Sequence, residues 1–317
     1  MRSIRRLLFC RMVRGSKPLR ATLQHVAFLY NTRFDILRNM ACTVFFGDNL
    51  PVLRSIPRGS VSLIYIDPPF NTGKVQTRKR LKTVRSDTGN RTGFQGARYA
   101  TTVLGEQSYE DMFDDYVAFL EPRLRQAYEI LGDTGSLYFH IDYREVHYCK
   151  ILLDHIFGRA SFLNEIIWAY DYGARSKRKW PAKHDNILWY AKDPNQYIFN
   201  YGELDRIPYM APELVGAEKA GRGKTPTDTW WHTIVSPNGK EKTGYPTQKP
   251  LGILKRIVTA SSNEGDTVLD FFAGSGSFGE AALSLNRSCI LVDSNPQSME
   301  VMRRRFESYP DVTFRDL

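Results

Sequence analysis

From residue 40 onward, short runs of β-branched and aromatic residues alternate with stretches whose apolar positions recur every three or four residues. The short runs predict strands at CTVFF (42–46), VSLIYID (61–67), GSLYFHID (135–142), NILWYAK (186–192), TVLDFF (267–272) and SCILVD (288–293). The helical period covers 109–131, 144–157, 250–262, 278–286 and 295–308, with Pro122 expected to kink or interrupt the first of these. Strands and helices in alternation predict an α/β fold, a mostly parallel sheet flanked by helices. Residues 197–245 break the rhythm with Pro208, Pro212, Pro226, Pro237 and several glycines, and are expected to form an inserted, irregular segment. There is no internal repeat.

With 317 residues, 42% hydrophobic and 25% charged, the composition is that of a globular chain and excludes disordered, collagen-like and coiled-coil classes. No apolar run approaches the ~18 residues that a membrane span needs. The formal net charge of +10 is concentrated in two places. Residues 1–40 carry nine basic side chains and one acid, and residues 74–98 carry eight and one. Residues 1–39 are expected to be a basic extension: a transit peptide, a nucleic-acid-binding arm, or sequence upstream of a start at Met40. The second stretch, with Gly89, Gly93 and Gly96 among its charges, is expected to be a mobile surface loop. Cys10, Cys42, Cys149 and Cys289 lie far apart without a CxxC spacing. That argues against a zinc site or a disulfide framework and for a reducing, cytoplasmic location.

Two motifs carry chemistry. Asp67-Pro68-Pro69-Phe70 follows the apolar run VSLIYI directly. The prolines fix φ and remove backbone donors, which leaves carbonyls free to accept. Asp67 and the Pro68 carbonyl can accept from an amino group while Phe70 offers a stacking face. The acid also stands at the carboxyl end of a strand, where open α/β sheets bind ligands. The second motif, Asp270-Phe271-Phe272-Ala273-Gly274-Ser275-Gly276-Ser277, lies between a strand and a helix. Its glycines permit a sharp turn and close approach to a ligand. Asp293 ends the next strand, where nucleotide-binding folds place a carboxylate for ribose hydroxyls. The turn matches neither GxxxxGK[ST] nor GxGxxG, which points away from a nucleoside triphosphate or dinucleotide and toward a smaller adenosyl ligand.

DPPF together with DFFAGSG resembles the DNA amino-methyltransferases, which move a methyl group from S-adenosylmethionine to an exocyclic amine. The DPPF strand comes first, which is similar to the circularly permuted β group of that family, with its Rossmann-like fold. GDNLPVLRSIP (47–57), TDTWW (227–231) and YPTQKPLGILKRIV (245–258) extend the resemblance over most of 41–310. It implies that Asp67, Pro68, Pro69 and Phe70 receive the target base. It further implies that Asp270, Phe271, Ala273, Gly274, Ser275 and Gly276 line the cofactor site and that Asp293 binds its ribose. Asp48 would lie near the adenine, with Thr247, Gln248 and Lys249 closing over the pocket.

On this account Asp67 accepts from the amine, localises its lone pair and stabilises the developing ammonium, with in-line transfer from the sulfonium. No metal and no covalent cysteine step are expected. A base in duplex DNA must leave the stack to reach such a pocket. Lys74, Arg78, Lys79, Arg80, Lys82 and Arg85 after the DPPF turn, and Arg175, Lys177, Arg178 and Lys179 around Trp180, are expected to hold phosphates. Residues 197–245 are the expected target-recognition segment, with Trp230 and Trp231 packing its small core. His140, His147, His155, His184 and His232 show no metal spacing and are expected to be structural side chains, His147 and His155 in a core-facing helix. N6 of adenine is the expected acceptor because Asp opens the tetrapeptide. N4 of cytosine is the alternative, followed by an RNA- or protein-directed amino-methyltransferase and a non-catalytic DNA-binding module. A homodimer and a cognate restriction endonuclease are further partners that the resemblance allows.

Overall fold

A computed structural model describes residues 41–317 apart from 72–73, 86–90, 93–97, 112–114, 172–175 and 237–238. For most of 74–111 it describes the backbone alone. The chain divides into two units, Met1–Asn39 and Met40–Leu317, and the first lies outside the described residues. The second begins with β1 (Cys42–Phe46), α1 (Asn49–Ser55) and β2 (Val61–Ile66), followed by β3 (Lys74–Arg85), β4 (Arg91–Thr92) and β5 (Arg98–Asp111). Next come α2 (Tyr116–Ile130), β6 (Leu131–Ile141), α3 (Val146–Phe157), β7 (Phe162–Ala169) and β8 (His184–Ala191). The irregular region holds α4 (Ala217–Arg222) and β9 (Thr229–Trp231). The chain then runs through α5 (Leu251–Ser261), β10 (Thr267–Asp270), α6 (Ser277–Leu283), β11 (Ser288–Asp293), α7 (Pro296–Arg305) and β12 (Val312–Asp316).

One sheet of nine strands has the order β12-β1-β11-β10-β2-β6-β8-β7-β9. The six strands from β12 to β6 are mutually parallel, and β8 runs against β6 and β7. Successive residues of a strand face opposite sides. In β2, Leu63 and Tyr65 join a core with Ile253, Ile257, Phe278 and Met302 of the α5–α7 side. Ile64 and Ile66, on the other face, are buried too. Burial on both faces is why these strands read as unbroken apolar runs. The chain leaves β2 toward β6 and leaves β10 toward β11, in opposite directions, so a crevice opens between their carboxyl ends. Among the described residues no helix is long and apolar enough to cross a membrane.

Several expectations are corrected. Residues 74–98 are not a loop: β3 pairs antiparallel with β5 from Lys74↔Asp111 to Arg85↔Tyr99, and β4 joins them in a three-stranded sheet. The β-branched residues Val75, Thr77, Thr83 and Val84 among the cations supply strand propensity that the charge concealed. The strand β5 also takes 109–111 from the expected helix, which starts at Tyr116, capped by the Asp115 carboxylate on the Ala118 amide at 2.9 Å. That helix continues through Pro122. An interior proline costs about 3 kcal/mol. Burying Leu120 and Leu124 beside Tyr116, Ala127 and Ile130 outweighs it, at about 1.5–3 kcal/mol for each large side chain.

Cys42 and Cys289 sit in register on β1 and β11 and are joined as a disulfide, against the expectation drawn from their spacing. Pairing of parallel strands brings together residues 247 apart in sequence. His147 and His155 are exposed, because the buried stripe of α3 is Val146, Cys149, Leu152, Leu153 and Phe157. Trp230 is buried, but in the core of the main sheet and not in a small core of its own segment, and Trp231 points to solvent from the edge strand.

Gly276 caps α6 in the left-handed region, φ 73°, and a Cβ there would lie 2.7 Å from Met302 Cγ. Left-handed backbone costs about 1–2 kcal/mol for a non-glycine residue, and overpacking adds about 1–3 kcal/mol. Gly276→Ala is therefore expected to lower unfolding free energy by about 2–5 kcal/mol, read by chemical denaturation.

Candidate active site

The glycine turn and the DPPF turn face each other across the crevice. Between them lies a cavity of about 360 Å³. The structure brings Asp48, Asp67, Pro68, Pro69, Phe70, Thr247, Lys249, Asp270, Phe271, Ala273, Gly274, Ser275 and Asp293 to its wall. Two expected residues do not line it. The Gln248 side chain is spent on its own loop, accepting from the Thr243 amide and hydroxyl at 2.8 Å and donating to the Glu241 carbonyl at 2.6 Å. Gly276 acts as the helix cap described above.

The turn after β10 is built from backbone donors. The Asp270 carboxylate accepts from the Phe272 amide at 2.9 Å. Asp293 accepts from the Gly274 amide at 2.7 Å and the Asn295 amide at 2.8 Å, which ties the end of β11 to the glycine turn. Gly274 has φ 52°, and a Cβ there would lie 3.2 Å from the Tyr245 ring, so only glycine leaves this wall open. Asn49 donates to the Phe271 carbonyl at 2.8 Å and accepts from Arg123 at 2.6 Å. Arg123 also reaches Asp48 at 2.8 Å and lies over the Phe119 ring at 4.0 Å.

Burial, and then the negative charges of Asp67 and Asp293, hold the Asp270 carboxyl well above the usual carboxylate range. Burial likewise pushes Asp293 up, opposed by the amides of Asn295 and Gly274.

Across the crevice, Lys249 pairs with Asp67 Oδ2, and its ammonium lies 5.2 Å from the Phe70 ring centroid. Asp67 Oδ1 is buried and, among the described residues, has no hydrogen-bond partner. The Tyr116 hydroxyl donates to the Pro69 carbonyl at 2.5 Å and anchors the turn to α2. Behind Asp67 stands the buried His140. Its Nδ1 is 4.0 Å from Asp67 Oδ1 and 2.8 Å from the Tyr65 hydroxyl, and its Nε2 is 3.2 Å from Asp185 Oδ2. Tyr170 donates to Asp185 Oδ1 at 3.1 Å. Burial works to raise the Asp185 carboxyl, but the hydrogen bond and charge of His140, with Lys249 and Tyr170, bring it below its ordinary value.

A second cavity, of about 530 Å³, adjoins the first at Phe70, Tyr245, Thr247 and Lys249. Trp168, Tyr170 and Asp185 form much of its inner wall.

The expected site residues elsewhere divide. Lys74, Arg78, Lys79, Arg80, Lys82 and Arg85 all lie on β3, with side chains outside the described residues. Lys177, Arg178 and Lys179 are exposed, and Arg175 lies outside the described residues. Sequence reasoning missed Asn49, Arg123, Tyr245 and Asp185, and took His140 for a structural side chain without placing it behind Asp67. Of these, Tyr245 was within reach, since it opens the YPTQKP run, whereas the His140–Asp185 pair spans two strands and leaves no local signal.

The donor set fits an adenosyl sulfonium. Carboxylates suit its positive charge, Phe271, Phe272 and Phe119 offer apolar faces, and Asp293 has acceptor capacity beyond its two amide bonds.

Comparison with known proteins agrees. A family model for DNA methylases, N6_N4_Mtase, matches residues 61–304. The chain is 30% identical to the Type II methyltransferase M.HpaI of Haemophilus parainfluenzae over 82% of its own length and 72% of that protein's. It is 29% identical to the DNA adenine methyltransferase YhdJ of Escherichia coli K12, over 87% and 85%. Among solved structures, the cytosine-N4-specific PvuII DNA methyltransferase shares the fold at a TM-score of 0.55 and 15% identity, over 86% of this chain and 90% of that one. The chain thus belongs to the N6/N4 DNA methylase family, whose methyl donor is S-adenosylmethionine.

Proposed function

We propose that the protein methylates the N6 amino group of adenine in duplex DNA. The observation that carries this reading is Asp67 Oδ1, a buried acceptor with no hydrogen-bond partner among the described residues, on a carboxylate that lines the first cavity and is paired with Lys249, which lines both. In this reading S-adenosylmethionine occupies the cavity beside the glycine turn and supplies an activated methyl group. Asp293 binds the ribose, Asp48 and Arg123 border the adenine end, and Asp270 faces the cationic end. The extruded base enters the second cavity, against Phe70. Lys249 holds Asp67 Oδ2, which leaves Oδ1 to accept an amine hydrogen. Transfer of the methyl group to the amine would release S-adenosylhomocysteine and leave positive charge on nitrogen, which the Asp67 carboxylate would stabilise until the amine proton passes to water.

Asp at the head of the tetrapeptide supports adenine, as does the likeness to an adenine methyltransferase at 29% identity. The cations of β3 and Lys177–Lys179 contact phosphates in the same reading. Residues 197–245 contribute target recognition, and 1–39 form a basic extension to the catalytic unit.

DNA incubated with labelled S-adenosylmethionine and digested to nucleosides is expected to yield N6-methyldeoxyadenosine by mass analysis; N4-methyldeoxycytidine would replace the adenine reading. Asp67→Ala is expected to cut the single-turnover methylation rate by about 10²–10³ or more, the usual loss of a stabilising group at the reacting centre. Cofactor affinity, read by calorimetry, is expected to change far less.

The raised carboxyls give a pH dependence. Asp270 and Asp293 bind protons more readily than ordinary carboxylates, while a bound cation favours their ionised forms. Cofactor affinity is therefore expected to rise with pH across their elevated titration range, with protons released on binding. Calorimetry in two buffers of different ionisation heat measures that release, and affinity independent of pH would contradict it.

A further inference from the structure

The connection between β7 and β8 leaves the sheet at the edge where β2 and β10 end, because β7 runs parallel to β6 through their shared antiparallel neighbour β8. Its ends are pinned together by the Tyr170 amide, which donates to the Lys183 carbonyl at 2.9 Å. Tyr170, Ala182 and His184 line the second cavity, so this connection borders its mouth. Within it, Ser176 Oγ accepts from the amides of Arg178 at 3.2 Å and Lys179 at 3.3 Å, a side-chain turn that organises the backbone. Pro181 then restricts the residue before it to extended backbone. That residue is Trp180, and it is 95% exposed.

An indole held in water on a braced turn, two residues from a cavity wall, has no role in the core of this unit. Its neighbours Lys177, Arg178 and Lys179 are exposed as well, and no acid interrupts the run 176–183. A flat apolar ring among cations matches the chemistry of stacked bases flanked by phosphates. We propose that Trp180 inserts into the duplex beside the target base and takes up the stacking that the base gives up on extrusion, while Lys177, Arg178 and Lys179 hold the adjoining phosphates. The proposal rests on the reading of the second cavity as the receiver of an extruded base. Extrusion costs a base its pairing partner and its stacking neighbours, and an inserted ring restores part of the stack. Trp180 is a positioning residue in this scheme, distinct from Asp67, and touches neither the amine nor the cofactor.

The test compares two duplexes carrying the site identified by modified-base sequencing. In one the target base is paired, and in the other it faces an abasic position, so that leaving the helix is already cheap. Total label transferred in a single turnover is measured, a readout independent of which base accepts the methyl group. Trp180→Ala is expected to slow transfer to the paired duplex about tenfold, within what one base–aromatic stack is worth. On the abasic duplex the Trp180→Ala enzyme is expected to run within about threefold of the unsubstituted enzyme, with Trp180→Phe close to normal on both. Equal rates of the Trp180→Ala and unsubstituted enzymes on the paired duplex would overturn the proposal. So would the same loss on both duplexes, which would reduce Trp180 to a general DNA contact.

Discussion

Asp67, Asp270 and Asp293 stand at the ends of three neighbouring parallel strands, β2, β10 and β11, so the backbone ladder drives their carboxylates into one cleft however strongly they repel. The cost of that arrangement falls on Asp270, the most enclosed, whose carboxyl is held far above its ordinary range by burial and by its two acidic neighbours. Lys249 offsets part of it from outside the strand ladder. A ligand that brings positive charge into this cleft meets groups already oriented by amide donors from Phe272, Gly274 and Asn295, with little reorganisation left to do. Sulfonium chemistry suits such a site for that reason: the same charge that activates the methyl group is what the strand ends attract.

The parts of this arrangement that are local in the chain were legible in the sequence. A strand ending in Asp-Pro-Pro-Phe and a strand–glycine turn–helix unit each express their geometry within ten residues. Asp293 followed because it ends the next strand. What was not legible is pairing at a distance. Lys249 and Asp67 lie 182 residues apart, His140 and Asp185 lie on antiparallel neighbours, and Asn49 reaches the Phe271 carbonyl from the far end of the chain. Composition also misled in one place. The cations of 74–98 suggested a loop, yet charged residues do not prevent strand pairing as long as cross-strand backbone bonds form, and β3 and β5 supply twelve paired positions. The Cys42–Cys289 link was invisible for the same reason as the ion pair, since only the strand order sets those two residues side by side.

The two cavities divide the chemistry in a way that neither motif shows by itself. They meet at Phe70, Tyr245, Thr247 and Lys249, so in the proposed reading the cofactor side and the base side share a wall made by the DPPF turn and the segment before α5. The Asp67 carboxylate lies in the first cavity beside that wall, held by Lys249. One oxygen is taken by an ammonium, and the other is left with His140 Nδ1 at 4.0 Å, beyond hydrogen-bond reach. A carboxylate clamped on one side has a single direction in which to accept an amine hydrogen. Orientation of that kind is what a poor nucleophile needs most, because the lone pair of a ring-conjugated amine is available only along a narrow approach. His140 cannot move to close the gap without giving up Tyr65 on one side and Asp185 on the other, both of them in the core of the same sheet. The unsatisfied oxygen is therefore held open by the packing of the sheet, and the cost of keeping it so is spread over the buried network behind it.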